Sequence, residues 1–421
     1  MGACVGIGDV KRAKRTLPRI RCPRQLESGY KIISPWSTKP YGIMMEAYDR
    51  FELVINDRIV KTPIAIASMA GIVDAAYVLE RADHIGAAFI GGYSIDRRTL
   101  DASEELARQG RREFLYDDPV EELGRQIKLL EKSDVVPGIN LRGSTPAAYR
   151  EIAEAFEESV VYEIDAHCRQ PAMVEAGCGE YLLHHPQALT ETIRALKAAG
   201  VTVSVKIRAG VAADDRALAR TCWKAGADIL HVDLMDFGHQ KLRQIRNACP
   251  LTLIANNGIT TFDKAMDLFA RGADLVSLAR GSDTWTLSGL DAAITRSADE
   301  NGWYNAPKQL CRGGDIRSLT FCCMPVKNCP LIPMLEKIGL TRDDYVKFKQ
   351  EAVKGTPLAE GNSTCFGSLA WCCKASSPCM FRNMTLQKMG ISIQDYMRYK
   401  HRLSDKIMHR LFDDGSAADT V

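Results

Sequence analysis

From about Thr62 onward the chain alternates two patterns: short, β-branched apolar runs, and stretches whose apolar residues recur three or four positions apart. The apolar runs are IAIASM (64–69), AAFIGG (87–92), PGINLR (137–142), VVYEID (160–165), VTVSVKI (201–207), DILHVD (228–233), LTLIAN (251–256) and DLVSLA (274–279). Each reads as a buried parallel strand, since a strand covered on both faces has no polar side to show. Between them PVEELGRQIKLLEK, AAYREIAEAFEE, QALTETIRALKAAG, DDRALARTCWKAG, GHQKLRQIRNAC and TFDKAMDLFARG carry the helical period. Eight strands in strict alternation with helices over roughly 220 residues predict an α/β fold, a (β/α)8 TIM barrel. A doubly wound open sheet is the alternative, disfavoured because no GxGxxG follows the first strand.

The pattern changes after residue 300, where cysteine replaces the strand signal. Eight of the chain's 14 cysteines lie at or beyond Cys311. The segment FCCMPVKNCPLIPMLEKIGLTRDDYVKFK (321–349) recurs as WCCKASSPCMFRNMTLQKMGISIQDYMRYK (371–400), so Cys322, Cys323 and Cys329 return as Cys372, Cys373 and Cys379. After one inserted residue, Gly339, Tyr345 and Lys349 return as Gly390, Tyr396 and Lys400, and Cys311 and Cys365 each precede one copy. Two sets of four thiols fit two metal centres. Adjacent cysteines suit zinc spacing poorly, so iron–sulfur clusters are preferred, zinc is the alternative, and buried free thiols would leave the repeat unexplained. The expected organisation is a basic arm and lead-in (1–60), the barrel (61–300), a smaller, mainly helical, duplicated cysteine-rich domain (301–405) and a tail (406–421).

Charge narrows the function classes. The net charge of +3, from 55 basic and 52 acidic residues, excludes bulk attraction to nucleic acid or membrane and leaves only local patches. Such a patch is the arm, with Lys11, Arg12, Lys14, Arg15, Arg19, Arg21 and Arg24 against Asp9, read as a solvated tail that could touch phosphate. With no bilayer-length apolar run and no signal peptide, a cytoplasmic location without membrane contact is expected.

Candidate chemistry gathers where strands end. Cys168 and Lys206 fall just beyond the fourth strand and near the end of the fifth, the barrel face that carries active sites. Asn256-Asn257-Gly258-Ile259 and Ala279-Arg280-Gly281 close the last two strands; consecutive glycine turns, one with an arginine, predict a phosphate site rather than turns alone.

These segments resemble the flavin-dependent tRNA-dihydrouridine synthases. The resemblance rests on IASMAGIVD (66–74), IDAHC (164–168), AGCGEYLL (176–183), VKIRAG (205–210), ANNGI (255–259) and GADLVSLARG (272–281), in the family's order and spacing. It implies an FMN-binding barrel in which Met69, Asn140, Lys206, His231, Asn257, Gly258, Ala279 and Arg280 contact the flavin, with Cys168 as the catalytic proton donor. Departures from the pattern cluster on the substrate side: Asp165 stands for the family's Asn, His167 for its Gly, Arg169 for its Pro and Asp233 for its Arg. Asn140 replaces the usual Gln, and the family's C-terminal RNA-holding bundle is absent as a recognisable sequence.

A flavin barrel followed by a duplicated cysteine module also resembles the methanogenesis marker protein 9 family of methane-forming archaea. Together the resemblances imply an FMN-dependent oxidoreductase associated with methanogenesis, reducing or oxidising an unsaturated small-molecule or modified-macromolecule substrate. Clusters would relay electrons to the flavin, with an electron-donor protein or NAD(P)H as the source. Two rival readings are a tRNA-dihydrouridine synthase, with tRNA as partner, and a non-catalytic assembly or maturation factor for a methanogenesis enzyme.

Overall fold

The structure, a computed structural model, describes residues 50–407 except 52, 57, 236–237, 302, 304–309, 313–315, 327, 362, 373–378, 393–394, 397–398, 401 and 405. The basic arm, Cys373 and most of the tail therefore lie outside the described residues.

A two-strand antiparallel hairpin opens the described chain, β1 (Val54–Ile55) and β2 (Arg58–Ile59). Eight parallel strands follow: β3 (Ile64–Ile66), β4 (Ala87–Ser94), β5 (Val136–Arg142), β6 (Val161–Ala166), β7 (Thr202–Arg208), β8 (Ile229–Asp233), β9 (Thr252–Asn256) and β10 (Leu275–Leu278). They close in chain order, β10 pairing with β3, so the predicted barrel is the observed one and each expected strand overlaps its counterpart.

Local signals set the helix boundaries. Helix Pro119–Leu130 starts on the Asp118 side chain, which accepts from Val120 and Glu121 N–H, with Pro119 in the first turn where its missing N–H costs nothing. Thr145 caps Pro146–Phe156 and Thr261 caps Phe262–Ala270 in the same way. An additional helix, Arg97–Arg108, precedes Pro119–Leu130 between β4 and β5; its apolar positions are few, which is why the pattern passed over it.

Inside the barrel a layer of Ala65, Ala87, Phe89, Val136, Val161, Ile229, Ile254 and Leu275 fills the amino-terminal end. The hairpin closes that end with Ile55, while its neighbour Val54 packs into the core of the cysteine module, as side chains alternating along a strand must. The module builds its own apolar core from residues such as Leu319, Phe321, Tyr345, Trp371 and Tyr396, and lies with the barrel in one compact unit, 45–421. A buried fork joins the two: Arg317 reaches both carboxylate oxygens of Asp274, at 3.0 and 3.1 Å, just before β10.

The sequence repeat is a structural repeat. Gly339 and Gly390 both take positive φ, +71° and +65°, as each first helix of a copy ends, a conformation glycine adopts without strain. Tyr345, Tyr396, Lys349 and Lys400 are all fully buried. Each ammonium is solvated by backbone carbonyls, Lys349 by those of Leu319, Thr320 and Cys322, Lys400 by those of Thr320 and Ala370. Each also sits near an aromatic ring of the other copy: Lys349 is 4.6 Å from Trp371, Lys400 5.3 Å from Phe321.

Candidate active site at the carboxyl ends of the strands

The carboxyl ends of the strands open onto a cavity of about 940 Å³. Strands β5, β6 and β7 deliver Asn140 and Arg142, Asp165, and Lys206 and Arg208 to it, two residues apart along each strand where two are sent, as the period of a strand requires. Seven of the eight residues expected at a flavin line this cavity: Met69, Asn140, Lys206, Asn257, Gly258, Ala279 and Arg280. Cys168 lines it as well. His231, the eighth, is fully buried and is not among the lining residues; its ring lies deeper in the barrel, tilted against Phe89.

The Cys168 loop is pinned from both sides. Asp165 Oδ1 accepts the N–H groups of His167 (3.0 Å) and Cys168 (2.9 Å), while the Cys168 carbonyl accepts from Glu180 N at 2.8 Å. Gly179 makes the second contact attainable: its φ is +66°, and a Cβ there would lie 2.1 Å from the Cys168 carbonyl oxygen. The glycine motif after the cysteine thus serves close approach. Burial pushes the Cys168 thiol above its ordinary value, with the Arg142 guanidinium pulling it back, so the group holds its proton through neutrality. Cys178 is fully buried, its Sγ donating to the Met173 carbonyl, and burial pushes its thiol up further.

Around the cysteine the walls are ionic. Arg142 bridges Glu113 Oε2 (2.6 Å) and Asp165 Oδ2 (3.2 Å). His167 Nε2 meets Asp233 Oδ2 at 2.7 Å and Arg208 Nη2 at 3.2 Å, and Arg208 Nε lies 3.3 Å from Glu180 Oε1. Burial opposes ionisation of Asp165 and Asp233, yet Arg142 and His167 respectively hold both carboxyls below their ordinary value. Glu113 belongs to no motif, and Glu180 and Arg208, although within AGCGEYLL and VKIRAG, show no sign of their ion pairs along the sequence, because the partners lie far away along the chain.

A flavin suits the other half of the cavity. Lys206 Nζ is fixed by Ser68, 2.9 Å from its Oγ. Asn257 and Gly258 both take positive φ, +124° and +60°, and a Cβ on Gly258 would meet nothing nearer than 3.8 Å, leaving room for an anion at this turn. Arg280, exposed at the next turn, supplies the charge.

In the cysteine module, Cys311 and Cys365 are exposed and Cys322 is buried; Cys323, Cys329, Cys372 and Cys379 are partly buried. Cys311, Cys322 and Cys329 lie close enough to Cys323 to raise its thiol electrostatically, on top of burial. Among the described residues no three His, Cys, Asp or Glu side chains converge on a point that could hold a metal ion, and no helix is long and apolar enough to cross a membrane.

Comparison with known proteins agrees with the barrel. Residues 125–308 match the family model described as dihydrouridine synthase (Dus). Uncharacterized protein MJ0144 of Methanocaldococcus jannaschii is 27% identical over 229 residues, 52% of this chain and 88% of that protein. Among solved structures, a FabK mutant from Thermotoga maritima aligns at 20% identity and a TM-score of 0.36, covering 53% of this chain and 63% of that one, so the match spans under two thirds of its length. Uncharacterized protein MJ0115 of the same archaeon is 45% identical over 107 residues, 25% of this chain and 69% of its own length. The chain belongs to the same family as MJ0115, and residues 125–308 make its barrel similar to the flavin-dependent dihydrouridine synthases.

Proposed function

We propose that the protein binds FMN in the cavity and adds hydrogen across an activated carbon–carbon double bond, with Cys168 as the proton donor. The observation that carries this is the gathering of Cys168, Lys206 and Arg280 around one cavity at the carboxyl ends of the strands. Flavin held there by residues such as Lys206 and Arg280 would supply a hydride, two electrons and one hydrogen nucleus, to one carbon. Cys168 Sγ gives its proton to the neighbouring carbon and is left as a thiolate, with the Arg142 guanidinium near enough to offset the new negative charge. The two electrons would come from NAD(P)H or an electron-donor protein.

A substrate other than uridine in tRNA is favoured by the ionic walls. The departures from the family's pattern at 165, 167 and 233 are tied into ion pairs, His167 with Asp233 and Asp165 with Arg142. Where the family places a cation at 233, this chain places an anion already committed to an imidazole. The association with methanogenesis is supported by the duplicated cysteine module and by the archaeal source of both relatives.

The repeat also supports metal binding by Cys311, Cys322, Cys323, Cys329 and by Cys365, Cys372, Cys373, Cys379, as iron–sulfur in preference to zinc. The described thiols do not form a ready ligand set, so no electron path is drawn through them. Anaerobic purification with flavin, iron, sulfide and zinc measured together tests both parts. A colourless protein that ignores added FMN overturns the first, and a protein with neither metal overturns the second.

A further inference from the structure

Glu163 lies on β6, one strand repeat and roughly 6–7 Å below Asp165. No part of it is exposed, and it does not line the cavity. Its carboxylate takes three side-chain donors: Asn140 Nδ2 at 2.9 Å, Ser204 Oγ at 3.0 Å and His231 Nδ1 at 2.8 Å. The network continues through His231 Nε2, 2.7 Å from Ser277 Oγ, which Asn256 Nδ2 reaches at 2.9 Å. It therefore starts at one cavity-lining amide, Asn140 on β5, passes beneath the cavity, and ends at another, Asn256 on β9.

The directions of these bonds follow from the carboxylate. An ionised carboxylate only accepts, so Asn140 must turn its NH2 inward and leave Oδ1 for the cavity. By the same rule His231 Nδ1 donates. Burial holds the imidazole below its ordinary value, so the ring is neutral and Nε2 accepts the Ser277 hydroxyl proton. Ser277 Oγ then accepts from Asn256, whose Nδ2 also meets the Ser277 carbonyl at 3.0 Å and whose Oδ1 is likewise left over. One buried anion thus sets the orientation of Asn140 and, through His231 and the Ser277 hydroxyl, adds a second acceptor to the Ser277 carbonyl that holds Asn256 on the opposite side of the cavity.

We propose that Glu163 is the positioning residue of the flavin site: it turns the oxygens of Asn140 and Asn256 toward the cofactor and sets a buried negative charge beneath it, lowering the flavin's reduction potential. The proposal rests on the reading that the cavity holds FMN. A fixed anion in a low-dielectric interior opposes the arrival of electrons above it, and here it offsets the Lys206 ammonium one strand away.

The test is the two-electron potential of the FMN-loaded protein, measured against a reference dye, together with the FMN dissociation constant from flavin fluorescence. Glu163→Gln removes the charge at nearly constant shape. Its potential is expected to rise by at least a tenfold change in the reduced-to-oxidised ratio, about 30 mV for a two-electron couple. Glu163→Asp, which keeps the charge but not the reach, should stay near the wild-type potential while binding FMN more weakly. If Glu163→Gln does not fold, Ser277→Ala carries the test, since it removes one of the two acceptors of Asn256 Nδ2, keeps the Ser277 carbonyl as the other, and leaves the charge: FMN affinity falls with the potential held. Glu163→Gln that binds FMN at the wild-type potential, or Ser277→Ala that binds it as tightly as wild type, overturns the proposal alone. A wild-type protein that takes up no flavin overturns the flavin reading and this proposal together.

Discussion

His167 and Asp233 hold each other across the cavity wall, Nε2 to Oδ2 at 2.7 Å, although 66 residues separate them and each departs from the family's pattern at its own position. Neither replacement alone is compatible with a quiet wall. An imidazole without the carboxylate would keep only the Arg208 guanidinium at Nε2, and the carboxylate without the imidazole would keep only Arg208 and the Met235 N–H. The pair fixes the ring with Nε2 committed, and the charge at 233 opposite to the family's is already spoken for before any substrate arrives.

Asp233→Asn should therefore leave flavin content unchanged and lower stability by about 1.5–3 kcal/mol at neutral pH, the usual worth of a hydrogen bond to a charged group. The folded carboxyl is held below its unfolded value, so its contribution is present above about pH 4 and is lost as the pH falls through the folded value. Urea midpoints of the two proteins should differ at pH 7 and converge below about pH 4. A gap that persists in acid assigns the loss to packing instead.

Cys168→Ala should keep the flavin and its reduction by the donor but lower oxidation by the acceptor about 100-fold or more, the usual worth of a positioned acid. Because burial raises the thiol, the wild-type rate should stay level through neutrality and fall only above the ordinary thiol range. Cys178→Ala is the control, since its Sγ is spent on the Met173 carbonyl inside an apolar cluster. A larger effect on acceptor turnover from Cys178→Ala than from Cys168→Ala would reverse the assignment.

Arg280→Gln removes the guanidinium at the second glycine turn, leaving the Lys264 ammonium on the Gly258 carbonyl at the first, and should weaken FMN binding tenfold or more, equivalent to about 1.5–3 kcal/mol for a charge-assisted contact. Flavin fluorescence on titration reads this directly. An unchanged dissociation constant would place the phosphate elsewhere in the cavity.

The barrel and many of the residues that line its cavity were legible because their signals are local. Strand periodicity, glycine turns such as Asn257-Gly258 and a lysine or arginine at a strand end each occupy a few consecutive residues. What stayed hidden is long-range. Glu163 reads in VVYEID as one polar residue in an apolar strand, and only the closed barrel shows that Asn140, Ser204 and His231 from three other strands converge on it. Glu113 carries no motif, yet its carboxylate holds Arg142. His231 was placed by its motif at the flavin, whereas its two ring nitrogens are taken by Glu163 and Ser277 beneath the cavity. The hairpin that stoppers the barrel was missed because two strands of two residues are too short to show a period.

The buried lysines of the cysteine module give a final prediction, because they share an acceptor. Lys349 Nζ donates to the Thr320 carbonyl at 2.8 Å and Lys400 Nζ donates to the same oxygen at 3.3 Å, one lysine from each copy of the repeat. Lys349→Met strips a donor from the carbonyls of Leu319, Thr320 and Cys322, and Lys400→Met from those of Thr320 and Ala370. At about 1–3 kcal/mol for a buried acceptor left unmade, partly offset by no longer burying an ammonium, each single variant should lose on the order of 2 kcal/mol. In each single variant the Thr320 carbonyl keeps the other lysine; in the double variant it loses both. The double variant should therefore fall further than the sum of the singles by about 1 kcal/mol in a urea-unfolding double-mutant cycle. Additivity to within about 0.5 kcal/mol would mean that the two copies are not coupled through this oxygen, and that the repeat preserves two separate cores rather than one shared joint.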